Sequence, residues 1–127
     1  MKLTKERSAS LDDFIYNLLK NNVDIMPMRF VKFIANYYTD ARVRKIYLER
    51  MGVVMGEGTY ANLGFKIVSD DFKKRLFIGR NVSIAPNVTF ICMSSANNGK
   101  EINEIPYVKE VLTKSADITV DDEVWIG

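Results

Sequence analysis

Two adjacent six-residue units, IGRNVS over 78–83 and IAPNVT over 84–89, repeat one order of residue types and constrain this chain more than any other feature. The same frame runs through MGEGTY (55–60), ANLGFK (61–66) and Ile67, continues into Phe90, and returns at VDDEVW (120–125) and Ile126. A six-residue unit makes one short strand and one turn, so its first and fifth side chains can share an interior while the others face outward. Three such units complete one coil of a solenoid. Alternating strands of an antiparallel β-sandwich could also repeat at six residues. Gly56, Gly58 and Gly79 stay in frame, however, and the one Asn-Gly pair, Asn98 and Gly99, lies in a polar stretch and not between paired strands. The pattern therefore predicts a mainly β fold built as a parallel solenoid over 52–127.

Residues 1–51 read differently. Ser10 stands as an N-cap with Asp13 three residues on, and Leu11, Phe14, Ile15, Leu18 and Leu19 paint one helical face. Asn21 and Asn22 end that helix. Pro27 suits the first turn of a second one carrying Phe30, Val31, Ile34, Tyr37, Tyr38, Ala41, Ile46 and Leu48, with an interruption at Thr39 and a left-handed stop at Gly52. This segment is expected to cap the solenoid with the apolar stripe around Leu18 buried against it. Two interruptions of the frame, 70–77 with Lys73, Lys74 and Arg75, and 93–117, read as insertions at solenoid corners.

Composition narrows the chemistry. The chain of 127 residues has no histidine, which excludes a histidine general base, a histidine-dependent triad and a histidine-ligated zinc site. Cys92 is the single cysteine, so no internal disulfide forms, and a cytoplasmic location is expected. Eighteen basic against sixteen acidic residues leave a net charge of +2, too balanced to call for a nucleic-acid partner, although basic residues gather over 28–50. No apolar run is long enough for a membrane span, and MKLTKERSAS lacks the apolar stretch of a signal peptide.

The segments GVVMGEGTYANLGFKI, IGRNVSIAPNVTFI and ITVDDEVWIG resemble the hexapeptide-repeat acyltransferases, specifically the O-acetyltransferases of the sugar and maltose or galactoside type, over residues 50–127. The resemblance implies a left-handed parallel β-helix preceded by N-terminal α-helices, a homotrimer, acetyl-CoA as co-substrate without a metal, and a saccharide acceptor bound between subunits. It makes Trp125 a candidate for binding the coenzyme. Asn62, Ser94, Ser95, Asn97 and Tyr107 become candidates for binding the acceptor.

The family's histidine base falls on Ser95 or an immediate neighbour, and no group in ICMSSA (91–96) accepts an alcohol proton near neutrality. Cys92 lies in a rung, where a buried thiol is expected and not an acyl carrier. Asp121, Asp122 and Glu123 match a rung opening and read as turn and trimer-contact residues. Asn81 and Asn87, though each begins an Asn-Val-Ser/Thr sequon, occupy equivalent positions and read as turn residues. The frame is under way again at Ile126 and Gly127, whereas the family continues for several coils, so the chain is expected to be an incomplete acyltransferase. The alternative is a non-catalytic trimeric β-helix scaffold or a degenerate acetyltransferase copy.

Overall fold

With one proline and no glycine before Gly52, the N-terminal third has little to interrupt a helix. In the computed structural model, which describes residues 2–70 and 73–127, it forms α1 (Lys2–Asn21), a 3-10 turn (Val23–Ile25), α2 (Met28–Tyr37) and α3 (Ala41–Arg50). Helix α1 starts well before Ser10, because Lys, Arg, Glu, Ala and Leu upstream are all good helix formers. Pro27 is the N-cap of α2, its carbonyl accepting from the amides of Phe30 and Val31 at 2.9 and 3.0 Å. The break falls at Tyr38–Asp40, where the Asp40 carboxylate accepts from the Arg42 amide at 3.0 Å and opens α3. A hydrogen bond from the Arg42 side chain holds that carboxyl below its ordinary range.

Gly52 ends the helical segment at φ +87, and a Cβ there would lie 2.2 Å from the Lys73 carbonyl oxygen. Only glycine tolerates both conditions. Beyond it the strands are two or three residues long. β1 (Val53–Met55), β4 (Leu76–Ile78) and β9 (Ile118–Val120) form one parallel sheet; β2 (Tyr60–Ala61), β5 (Ser83–Ile84) and β10 (Trp125–Ile126) form a second; β3 (Lys66–Val68) and β6 (Thr89–Ile91) form a third. Asn81, Asn87 and Glu123 adopt φ between 53 and 60, alongside Gly58 and Gly64, so the turns between strands are left-handed at matching places.

The expected class, a mainly β fold forming a left-handed parallel β-helix, is corrected by this architecture. The protein is mixed α/β, with 44% of the described residues helical and 20% in strands, and the strands form small sheets in which no solenoid or β-helix is seen. Two physical causes account for the difference. Most residues of each six-residue unit are spent in turns, so a long repeat yields little strand. The segment 93–117, expected as an insertion at a solenoid corner, adds helix of its own: α4 (Lys100–Glu104) and a π-helical stretch (Val108–Leu112).

The core joins helices to strands. Val31 and Ala35 of α2, Val43, Tyr47 and Leu48 of α3, and Val53, Phe65, Leu76 and Ile84 of the strand region are fully or almost fully buried in one cluster. Helices α2 and α3 also satisfy backbone groups beside the first strands: Arg44 donates to the Ala61 carbonyl at 2.6 Å, Lys45 to that of Gly56 at 2.7 Å, and the Gly64 amide to that of Asn36 at 2.9 Å. Edge groups that would otherwise recruit another chain are thereby occupied. Helix α1 is held more loosely. Its carbonyl at Leu19 accepts from the Tyr47 hydroxyl at 2.7 Å, but Leu11, Phe14 and Leu18 are exposed, and no α1 residue is fully buried. The expectation of a buried stripe at Leu18 is therefore corrected: only Ile15, Tyr16 and Leu19 turn partly inward.

The insertion is fastened to the strand region by a polar clasp. β7 (Met93–Ser94) pairs antiparallel with β8 (Lys114–Ser115), and Ser115 donates to Asp70 at 2.6 Å. Arg75 bridges Asp70 at 2.9 Å and Asp117 at 3.1 Å. The basic corner at 70–77 is thus internally paired at Arg75, while Lys73 and Lys74 are exposed and residues 71–72 lie outside the described residues. The Ser115 hydroxyl first, then the Arg75 guanidinium, hold the Asp70 carboxyl below its ordinary range. A carboxyl depressed in the folded state stabilises above the unfolded value, near pH 4, and that contribution fades as pH falls through the folded value. Amide exchange over 93–117 is expected to be unchanged between pH 8 and pH 5 after correction for intrinsic rates, and faster at pH 3. Equal protection at pH 3 would show the clasp is not what holds the insertion.

Candidate functional site

Parallel pairing in register places equivalent side chains in a row, one strand spacing apart on one face. In the second sheet Tyr60 pairs with Ser83 and Ser83 with Trp125, while Ala61, Ile84 and Ile126 form the adjacent inward-facing row. Ala61 and Ile84 are buried, whereas Tyr60 is 45% and Trp125 85% exposed. The result is an aromatic ring, a hydroxyl and a second aromatic ring in line across three strands. A cavity of about 280 Å³ lies over this row, bordered also by Asn62 and Ala85.

Several contacts fix its walls. The Lys45 ammonium lies 4.7 Å from the centre of the Tyr60 ring while donating to the Gly56 carbonyl, which pins both side chains to α3. Asn62 Nδ2 donates to the Ile84 carbonyl at 2.5 Å, and Asn62 Oδ1 has no hydrogen-bond partner among the described residues. Below the row, the fully buried Thr59 hydroxyl donates to the Gly79 carbonyl at 2.6 Å and accepts from the Val82 amide at 3.0 Å. Those bonds tie the first turn to the second and keep Tyr60 and Ser83 level.

Asn62 and Trp125 therefore share one site, although the resemblance assigned them to different ligands. Ser94 and Ser95 lie elsewhere, on a cavity of about 200 Å³ closed by Ile102, Val108 and Leu112 of the insertion. The Ser95 hydroxyl donates to Asn97 Oδ1 at 2.9 Å, so these two candidates are engaged with each other. Tyr107 is exposed just before the π-helical stretch and does not line that cavity. Tyr60 and Ser83 are the members that sequence reasoning missed. The signal was present, because Tyr60, Ser83 and Trp125 each close a six-residue unit.

Other groups are committed. Asp122 accepts from the Arg80 amide at 2.7 Å and from its guanidinium at 3.1 Å, and Glu123 accepts from Asn81 at 2.9 Å. A concavity of about 540 Å³ beside β4 and β9 has Asp121 and this engaged Asp122 as the charged groups among its described lining residues. Cys92 is buried, and burial pushes its thiol above the ordinary range, so little thiolate is present for acyl transfer. Among the described residues, no three of cysteine, aspartate and glutamate gather to hold a metal, and no helix is long and apolar enough to cross a membrane.

No family model, no curated protein and no solved structure matches the chain.

Proposed function

We propose that the protein takes part in O-acyl transfer from acetyl-CoA to a saccharide hydroxyl, and that the Tyr60–Ser83–Trp125 row is where the acceptor ring lies. The observation that carries this reading is the row itself. Its outer members stand two strand spacings apart, roughly 9.5 Å, and a flat ring in van der Waals contact on both faces needs roughly 7 to 8 Å. A sugar ring between the aromatics meets Ser83 beneath it and Asn62 Oδ1 at the side, an apolar slot with a few polar groups to orient hydroxyls.

In the transfer, the acceptor oxygen bonds to the acyl carbon, the carbon–sulfur bond breaks, coenzyme A leaves as thiolate, and the acceptor proton passes to that thiolate or to water. No imidazole exists in the chain to take the proton. What these residues supply is orientation of the acceptor, and a missing base lowers the rate by roughly 10² to 10⁴. The lack of histidine also favours a second reading, in which the same face binds saccharide without catalysis. Assembly as a homotrimer belongs to the first reading, and sedimentation velocity showing only monomer would remove it.

The test is acetyl transfer from labelled acetyl-CoA to a panel of neutral and acidic oligosaccharides. Slow, saccharide-dependent incorporation is expected, with Tyr60→Ala raising KM about tenfold and leaving kcat nearly unchanged. Saccharide binding without incorporation would select the second reading; neither binding nor incorporation would reject both.

A further inference from the structure

Tyr60 borders two concavities. Besides the one over the row, a cavity of about 330 Å³ opens between α1 and α3, walled by Tyr16, Lys20, Arg42, Lys45, Glu49 and Tyr60. Helical spacing gathers these side chains: Tyr16 and Lys20 are four residues apart on α1, and Arg42, Lys45 and Glu49 follow at intervals of three and four on α3. The Tyr16 ring carries two of the cations, with the Arg42 guanidinium 4.2 Å and the Lys20 ammonium 5.8 Å from its centre. The charges do not cancel. Arg42 is taken up by Asp40, to which its Nε and Nη2 donate at 3.1 and 2.7 Å, and Asp12 attracts it more weakly. Lys20 and Lys45 are in no ion pair among the described residues, and Lys45 spends one N–H on the Gly56 carbonyl. Glu49 is the one carboxylate among the described lining residues and is likewise in no ion pair. Two lysines against one glutamate leave a single positive charge in excess.

We propose that this cavity selects a saccharide acceptor bearing a carboxylate, with a sugar ring on the Tyr60–Ser83–Trp125 row and the carboxylate between Lys45 and Lys20. The proposal rests on the saccharide reading above and narrows its substrate class. Continuity favours the acceptor as occupant: Tyr60 walls both cavities and Lys45 lies 4.7 Å from its ring centre, so a ligand on the row meets the lysines by passing the edge of one side chain. Charge favours the carboxylate. One excess cation matches a group of one negative charge, whereas each phosphate monoester brings about −1.5 to −2 and a coenzyme with several phosphates brings more than the cavity neutralises.

Calorimetric titration with trigalacturonate and with its methyl ester tests this, because the two share every ring and differ in charge. The acid should bind about tenfold tighter than the ester, and high salt should shrink the difference. Lys20→Gln, at an exposed position, should lower that preference about threefold with an unchanged circular dichroism spectrum, while Glu49→Gln should raise it. Equal binding of acid and ester would overturn the proposal and leave the saccharide reading standing. If neither form binds, the saccharide reading falls and this one with it. A preference for the acid that neither Lys20→Gln nor Glu49→Gln moves would place the carboxylate elsewhere and also overturn it. So would a Lys20→Gln variant that loses affinity for acetyl-CoA and keeps its preference between the saccharides, which would give the cavity to the donor.

Discussion

Replacing Arg44 with alanine is expected to destabilise the protein by about 3 kcal/mol, a substantial share of the roughly 5 to 15 kcal/mol by which a domain is stable. Arg44 is 4% exposed and forms no ion pair among the described residues. Its guanidinium donates instead to two main-chain carbonyls, Tyr38 at 2.7 Å and Ala61 at 2.6 Å. The first is the C-cap of α2, the second belongs to β2, so one side chain joins the helix layer to the strands. Burial makes the charge costly and lowers the guanidinium's pKa from its ordinary value. Truncation relieves that cost but leaves two carbonyls without a donor, each worth about 1 to 3 kcal/mol, together with a cavity. A urea titration should show the midpoint falling with an unchanged slope. A midpoint within error of wild type would mean that water replaces the guanidinium and that the bridge is dispensable.

Phe65→Ala should cost about as much or more, roughly 3 to 5 kcal/mol, for a different reason. Phe65 is fully buried, packs against the Phe90 ring at 5.6 Å, and lies just before β3. The turn that delivers it inward cannot easily relax to fill the space. Gly64 stands at φ +78, and a Cβ there would come within 2.0 Å of Asn87 Oδ1. The exposed Phe33 makes the control. Its replacement by alanine should move stability by no more than about 0.5 kcal/mol, since it lies outside the core. Equal losses at both positions in thermal or urea unfolding would contradict the placement of the core.

These residues also show where the sequence could be read and where it could not. A left-handed stop at Gly52 and turns at Asn81 and Asn87 were legible; the positive φ of the two asparagines fits a residue type that tolerates such backbone. So was the break between α2 and α3, displaced by one residue to the Asp40 cap. The fold class was not legible from the repeat. Counting six-residue units weights strand heavily, whereas each unit yields only two or three strand residues, and α4 and the π-helical stretch are too short to carry a periodic signal. Exposure of the α1 stripe was equally hidden, since an apolar face in a sequence does not say what covers it. For the candidate site, Asn62 and Trp125 were singled out on resemblance. Register added Tyr60 and Ser83 and separated Ser94, Ser95, Asn97 and Tyr107 from them.

The central claim is that the Tyr60–Ser83–Trp125 row receives a saccharide ring, and Trp125 reports on it directly as the sole tryptophan, 85% exposed. The measurement is its fluorescence during titration with oligosaccharides, first neutral and then acidic. A saturable blue shift with reduced quenching by iodide, lost in Tyr60→Ala, is the predicted result. An emission spectrum that no saccharide moves, in a protein whose circular dichroism shows it folded, would contradict the account.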